Sequence, residues 1–240
     1  VEPARGLPAV EATGLGRRFG RRWALAALDV ALPRGEALLV AGRNGSGKST
    51  LLRVLATVLR PDRGRGAVDG FDLVAERDEV RRRVALLGHQ AHTYESLTAL
   101  ENLQVAARFL RRPAGRTDLL PRLEELGLAG RADDVVATFS AGMRKRLSLA
   151  RILLQEASLV MLDEPYGQLD PPGFLFVDRL LDSTRRRGAT LLMATHLLER
   201  GRAHCDRALI LAEGRLAWSG AASDLPRAAR EEGLQEGAAC

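Results

Sequence analysis

The sequence predicts an α/β fold with a block of helices inserted into it, on three observations. Two short runs, residues 37–41 (Ala-Leu-Leu-Val-Ala) and 159–162, are apolar throughout, as strands buried on both faces are. A glycine-rich loop follows the first run and opens into a helix on which Leu51, Leu52, Leu55, Val58 and Leu59 make one apolar face, ended by Pro61 and the glycines at 64 and 66. From about 99 to 155 the pattern is helical, with Leu100, Leu103, Ala107 and Leu110 at helical spacing. Strands alternate with helices around that block, as a mostly parallel sheet requires.

The remaining elements follow in order. Most of the first 90 or so residues read as strands; Leu28, Val30 and Leu32 alternate, and residues 84–87 form another strand. A helix over about 173–187, a strand over 189–194 and a hairpin turning at Glu213-Gly214 complete the core. Residues 221–240 are polar and weakly patterned, a tail that reads as a loose helix.

Composition narrows the function classes. At 240 residues the chain suits one substantial core, or one core with a smaller lobe, and it shows no repeats. No apolar run approaches the ~20 residues needed to cross a bilayer. Val-Glu-Pro-Ala-Arg at the start has no secretory apolar stretch, and Cys205 and Cys240 form neither a disulfide framework nor a metal spacing, so a reducing compartment is expected. The net charge of +6 raises nucleic acid as a partner. With 4% aromatics, and arginine clusters at 81–83, 144–146 and 185–187 that lack interleaved aromatics, solvated helix faces are the better reading.

Gly42-Arg43-Asn44-Gly45-Ser46-Gly47-Lys48-Ser49, with Thr50 next, matches the P-loop pattern in the context it needs, after a strand and into a helix. Glycines let backbone N–H groups close around phosphate oxygens, and the helix dipole points at the same anion. Lys48 supplies a compact charge to the β- and γ-phosphates of a nucleotide, and the Ser49 hydroxyl ligates Mg²⁺. Two of the 36 basic residues are lysines and Lys48 is one of them; a phosphate cradle wants a point charge and not a planar fork. The second apolar run ends in Leu162-Asp163-Glu164. An Asp at the tip of a buried strand can hold Mg²⁺, and the next residue is a candidate general base.

Phe139-Ser140-Ala141-Gly142-Met143, twenty residues before that acidic pair, brings the chain to resemble the ATP-binding subunits of ABC transporters over residues 9–220. The family usually reads Leu-Ser-Gly-Gly-Gln there, so Ser140 and Gly142 match while Phe139, Ala141 and Met143 depart. The resemblance implies a P-loop NTPase (RecA-like) core, an N-terminal antiparallel β-subdomain and a helical subdomain over about 91–155. It implies Phe19 as the aromatic stacking on adenine, with a core Phe as its plain alternative and Trp23 as a rival. It assigns Gln90 to Mg²⁺, the γ-phosphate and the membrane subunit, Asp170 to the loop crossing a dimer interface, and His196 to the switch histidine. His89, His92 and His204 are read as structural or exposed. Two ATPs sandwiched between two copies, a separate polytopic membrane permease, no nucleic acid, and a place on the cytoplasmic face of the cell membrane follow from the same resemblance.

Finer features, Leu-Gly-His-Gln followed by Leu97-Thr-Ala-Leu-Glu-Asn-Leu103 and the Ser-Ala-Gly turn, are similar to the ATP-binding subunit of the haem exporter of cytochrome c maturation. Drug, polysaccharide and lipid exporters share Glu-Asn-Leu and Gly-Met-Arg and form the alternative. A soluble ABC ATPase of translation or DNA repair would carry two cassettes or a long coiled coil, which the chain lacks; a P-loop kinase or GTPase would need no Ser-Ala-Gly motif, and no guanine-reading Asn-Lys-x-Asp is present.

Overall fold

The computed structural model describes residues 7–88 and 92–231. Along the chain run β1 (Val10–Phe19), β2 (Arg22–Leu32), β3 (Ala37–Ala41), α1 (Lys48–Leu55), β4 (Arg63–Val68), β5 (Phe71–Asp72), α2 (Arg77–Arg83) and β6 (Val84–Leu87). Then come α3 (Ala99–Phe109), α4 (Arg116–Glu124), α5 (Ala141–Gln155), β7 (Leu159–Asp163), α6 (Pro171–Arg186) and β8 (Thr190–Ala194). The chain continues with α7 (Leu198–Ala203), β9 (Arg207–Ala212), β10 (Arg215–Ala221) and α8 (Leu225–Glu231). The described residues divide into two compact units: one holds those up to Leu86, Ala157–Pro165 and those from Asp182 onward, and the other holds those between Leu87 and Glu156 together with Tyr166–Leu181.

The first unit carries two sheets. One has the order β2-β1-β4-β5 and is antiparallel, with Val10 opposite Leu32 on one side and Val68 on the other. The other has the order β10-β9-β3-β8-β7-β6. Its centre is parallel: β3 pairs with β8 and β9, and β8 pairs with β7. Every residue of β3, β7 and β8 is buried, which explains why these segments show no alternation. The apolar face of α1 (Leu51, Leu52, Leu55) shares one core with Leu28, Val30 and Leu32 of the antiparallel sheet and Val40, Met161 and Leu192 of the parallel one. The hairpin between β9 and β10 turns at Glu213 (φ 48) and Gly214 (φ 77), the two left-handed residues that a two-residue connection matched to strand twist requires.

In the second unit the Leu-Thr-Ala-Leu-Glu-Asn-Leu segment has a physical function. Thr98 caps α3 by accepting from Glu101 N–H at 3.1 Å, and Glu101 returns the bond to Thr98 N–H at 2.8 Å. Asn102, 2% exposed, clamps Tyr94 by both its N–H (2.8 Å) and its carbonyl (2.9 Å). The segment thus fixes how the chain enters α3.

Three expectations are corrected. The apolar face assigned to α1 stops short: Thr57 takes φ 58, held by Arg81 Nε on its hydroxyl at 3.0 Å, so Val58 turns out to solvent at 60% exposure. The basic cluster 144–146 is not a solvated face. Lys145 is 4% exposed, and Arg146 donates to Leu126 O at 3.3 Å and lies over the Phe176 ring. The tail does carry the expected helix, but that helix is not loose. Leu225, Ala228 and Ala229 of α8 are buried, and α8 packs on α7, β9 and β10. One leucine and two alanines in one short helix are too few to stand out as a periodicity.

Asp69, in the turn between β4 and β5, joins distant segments of the first unit. It is 3% exposed, its N–H donates to Ala9 O at 3.0 Å, Arg34 reaches its carboxylate at 2.6 Å, and Ser158 Oγ, just before β7, donates to it at 2.6 Å. Asp69→Ala removes the carboxylate that both donors share, leaving Ser158 Oγ with Arg83 O at 3.2 Å and Arg34 Nε with Leu7 O at 3.0 Å. It is expected to cost about 2–3 kcal/mol, below the value for a fully buried ion pair because the Arg34 side chain stays partly exposed. Urea unfolding checks this, with a lowered midpoint at unchanged slope.

Candidate nucleotide site

Three neighbouring parallel strands end at the same edge of the sheet, and the loops leaving them carry the candidate residues. From β3 comes the loop 42–47, from β7 come Asp163 and Glu164, and from β8 come Thr195 and His196. In open parallel sheets that edge is where ligands bind.

The loop has the geometry expected of a phosphate cradle. Gly42 has φ 142, and a Cβ there would sit 2.4 Å from Leu211 O and 2.6 Å from Ser46 Oγ. Gly47 has φ 111, and a Cβ would sit 2.4 Å from Ala24 O. Neither position accepts a side chain, so the loop can curl only as glycine permits. Lys48, the first residue of α1, is 7% exposed, and its Nζ donates to Gly42 O at 2.7 Å and Arg43 O at 3.1 Å. Burial pushes the Lys48 ammonium below its usual range, while the Glu164 and Asp163 carboxylates pull it back. Ser46 Oγ is buried and has no partner among the described residues, an orphan hydroxyl of the kind a bound anion satisfies. Arg43, Asn44 and Gly45 are exposed at the rim, and Ser49 and Thr50 are half-buried on the first turn of α1.

Asp163, 3% exposed, pairs with Ala194 at the end of the ladder. Glu164 continues that ladder, donating its N–H to Ala194 O at 2.8 Å, with φ 48, a strained conformation for a residue with a Cβ. The strain turns its carboxylate toward β8. Glu164 Oε2 lies 2.8 Å from His196 Nδ1 and accepts from Thr195 Oγ1 at 3.2 Å. Thr195, fully buried, is the participant that the motifs do not name. Its place between a buried strand and His196 is the only signal in the sequence.

Phe19, at the end of β1, is 51% exposed, which removes the core-Phe alternative. Trp23 is less available. Its ring packs where a Cβ on Gly16 would sit, at 3.1 Å, and the guanidinium groups of Arg63 (5.0 Å) and Arg18 (5.9 Å) lie over it. Ser140, Ala141, Gly142 and Asp170 belong to the second unit. Ser140 caps α5, its Oγ accepting from Met143 N–H at 3.2 Å. A Cβ on Gly142 would meet Gln168 O at 3.1 Å, so the Ser-Ala-Gly turn and the Gly167–Asp170 loop are neighbours there. Asp170 caps α6, accepting from Gly173 N–H at 3.0 Å, a local duty that the motif does not reveal. His92 is exposed, and His204 lies 3.5 Å from Asp182. Gln90 and His89 lie outside the described residues.

The donor set suits a small hard cation. No group of three or more acidic, His or Cys side chains forms a metal cluster among the described residues. Mg²⁺ asks for one or two protein oxygens and takes the rest from phosphates and water, which Ser49 and Asp163 can meet.

Residues 25–167 match the family model described as ABC transporter. The chain is 40% identical over 221 residues, 90% of its own length and 69% of the relative's, to the daunorubicin resistance ATP-binding protein DrrA3 of Streptomyces coeruleorubidus. It is 44% identical over 171 residues, 70% of the chain and 78% of the relative, to the cytochrome c biogenesis ATP-binding export protein CcmA of Xanthomonas axonopodis pv. citri. Among solved structures it resembles the ATP-binding subunit of an ABC transporter, with TM-score 0.81 and 28% identity over 96% of this chain and 95% of that one. The dimeric cassette MJ0796 bound to ADP and Pi shares the fold, with TM-score 0.81 and 24% identity over 89% and 98%.

Lys48→Ala removes the cation buried in the cradle, Arg43 lying exposed at its rim. It is expected to weaken nucleoside triphosphate binding roughly ten- to hundredfold and to abolish hydrolysis. A fluorescent-nucleotide titration and a phosphate-release assay on the purified variant test both.

Proposed function

The chain belongs to the ABC transporter family of ATP-binding proteins, and on that premise we propose that two copies close on two ATP-Mg²⁺ to drive a separate membrane permease in cytochrome c maturation. The chain is an ATP-binding, ATP-hydrolysing transporter subunit. Among the described residues no helix is long and apolar enough to cross a membrane, so the reading puts the translocation path on the permease and this chain at its cytoplasmic face. Residues 9–220 act as one ATPase domain in this reading, with 91–155 as its helical part.

The observation that carries the mechanism is the convergence of Lys48, Glu164 and His196 at the ends of β3, β7 and β8. Lys48 exchanges the Gly42 and Arg43 carbonyls for β- and γ-phosphate oxygens. Glu164 takes the proton from a water that attacks the γ-phosphorus in line as the bond to the β,γ-bridging oxygen breaks. His196 and Thr195 hold the Glu164 carboxylate beforehand, and His196 then supports the developing charge together with Ser140 and Gly142 of the partner subunit. Ser49 and Asp163, with Gln90 by the family resemblance, would hold Mg²⁺, which when bound would supply Lewis-acid neutralisation of the phosphate oxygens. Phe19 stacks on adenine, and Asp170 lies in the loop that faces the partner.

The haem-export reading is supported by the Ser-Ala-Gly turn, the capped Thr98–Leu103 segment and the 44% identity to CcmA. The second reading, a drug exporter, is favoured by the 40% identity to DrrA3 over a larger share of the chain.

Two experiments separate these layers. Glu164→Gln keeps the shape of the side chain and loses the base. The variant is expected to elute as a dimer with ATP-Mg²⁺ and as a monomer without nucleotide, and a monomer in both conditions contradicts the base or the homodimer. A strain carrying Lys48→Ala is expected to lose covalently haem-stained c-type cytochromes while b-type cytochromes persist. Unchanged c-type bands with new drug sensitivity select the exporter of drugs instead.

A further inference from the structure

An aromatic ring left half exposed near the end of a hairpin is normally free to change rotamer, yet the Phe19 ring is held. Arg17, two residues earlier on β1, places its guanidinium 5.0 Å from the ring centroid. That guanidinium is itself anchored: it donates to Arg60 O at 3.2 Å and lies 3.3 Å from the Asp62 carboxylate. Asp62 is fixed in turn by the Arg18 N–H at 2.9 Å, and its own N–H donates to Gly16 O at 2.8 Å. The Arg18 N–H and the neighbouring arginines hold the Asp62 carboxyl below its usual range, so the anchor stays charged. Arg17 Nε is buried with no hydrogen-bond partner among the described residues, so the anchoring runs through Nη1 alone.

We propose that Arg17 is a positioning residue for the nucleotide base, holding the Phe19 ring as a platform whose free face stacks on the purine. The proposal rests on the reading that Phe19 receives adenine. A guanidinium on one face of the ring is attracted to its π-electrons and restricts its rotation. A ring already held loses less conformational freedom when a base lands on it. The effect belongs to the base and not to the phosphates, which gives it a signature that general charge attraction lacks.

The test combines Arg17→Met, Arg17→Lys, Phe19→Leu and the double variant Arg17→Met/Phe19→Leu in the full chain. Calorimetric titration with ATP-Mg²⁺ and with inorganic tripolyphosphate is read alongside steady-state hydrolysis. Arg17→Met is expected to raise Kd for ATP about two- to fivefold, with a matching rise in KM, unchanged kcat at saturation and unchanged tripolyphosphate affinity. Arg17→Lys, which keeps the cation, restores most of the affinity. In the Phe19→Leu background the Arg17→Met change adds nothing further. Equal weakening of tripolyphosphate, or an undiminished effect in the Phe19→Leu background, overturns the proposal by showing that Arg17 acts as a charge. Unchanged ATP affinity in Arg17→Met while Phe19→Leu weakens it also overturns the proposal and leaves the platform standing. Unchanged affinity in Phe19→Leu removes the platform, and the proposal with it.

Discussion

The parallel pairing of β8 between β3 and β7 is the constraint on which the site depends. Strand β8 brings Ala194 opposite Val40 on one side and opposite Asp163 on the other. A shift of one residue in either ladder would turn the side chains at the strand ends to the opposite face. All three strands are buried on both faces, and apart from Thr190 at the start of β8 their only polar position is the last residue of β7. The chemistry begins where the apolar runs end, because only there does the sheet stop needing hydrophobic side chains.

Backbone shape contributes a second constraint, this time against side chains. At Gly42 and Gly47 the space for a Cβ is already filled by carbonyl oxygens of Leu211 and Ala24. Those carbonyls come from β9 and β2, one in each sheet of the first unit. The loop is therefore pressed into its curve by both sheets and not only by its own sequence. Lys48 completes the closure by donating to two of the loop's carbonyls.

What the sequence made legible was local. The loop 42–49 could be read because strand, glycines and helix are contiguous, and the Asp163-Glu164 pair because it ends an apolar run. The hairpin at Glu213-Gly214 was readable from the same kind of short-range chemistry. The Glu164–His196 contact was assigned to two motifs but not as a contact, since it depends on the register of β7 against β8 across thirty-two positions. Thr195 went unread for the same reason. Lys145 is the instructive failure: its neighbours Arg144 and Arg146 suggested solvent. Yet Lys145, Leu149 and Ile152 follow helical spacing, and all three are buried. Periodicity along α5 carried the information that charge clustering hid.

That burial has a consequence for the outer surface of the protein. Both lysines of the chain, Lys48 and Lys145, are inside, so the cationic side chains on the exposed faces are guanidinium groups. Guanidinium stays protonated far above neutral pH, so this surface keeps its positive charge in alkaline solution where lysine-rich surfaces begin to lose theirs. Nor does the folded exterior offer any lysine ε-amine to acetylation or to amine-directed crosslinkers. The most accessible reactive amine on a side chain is the one in the phosphate cradle, where a bound nucleotide shields it.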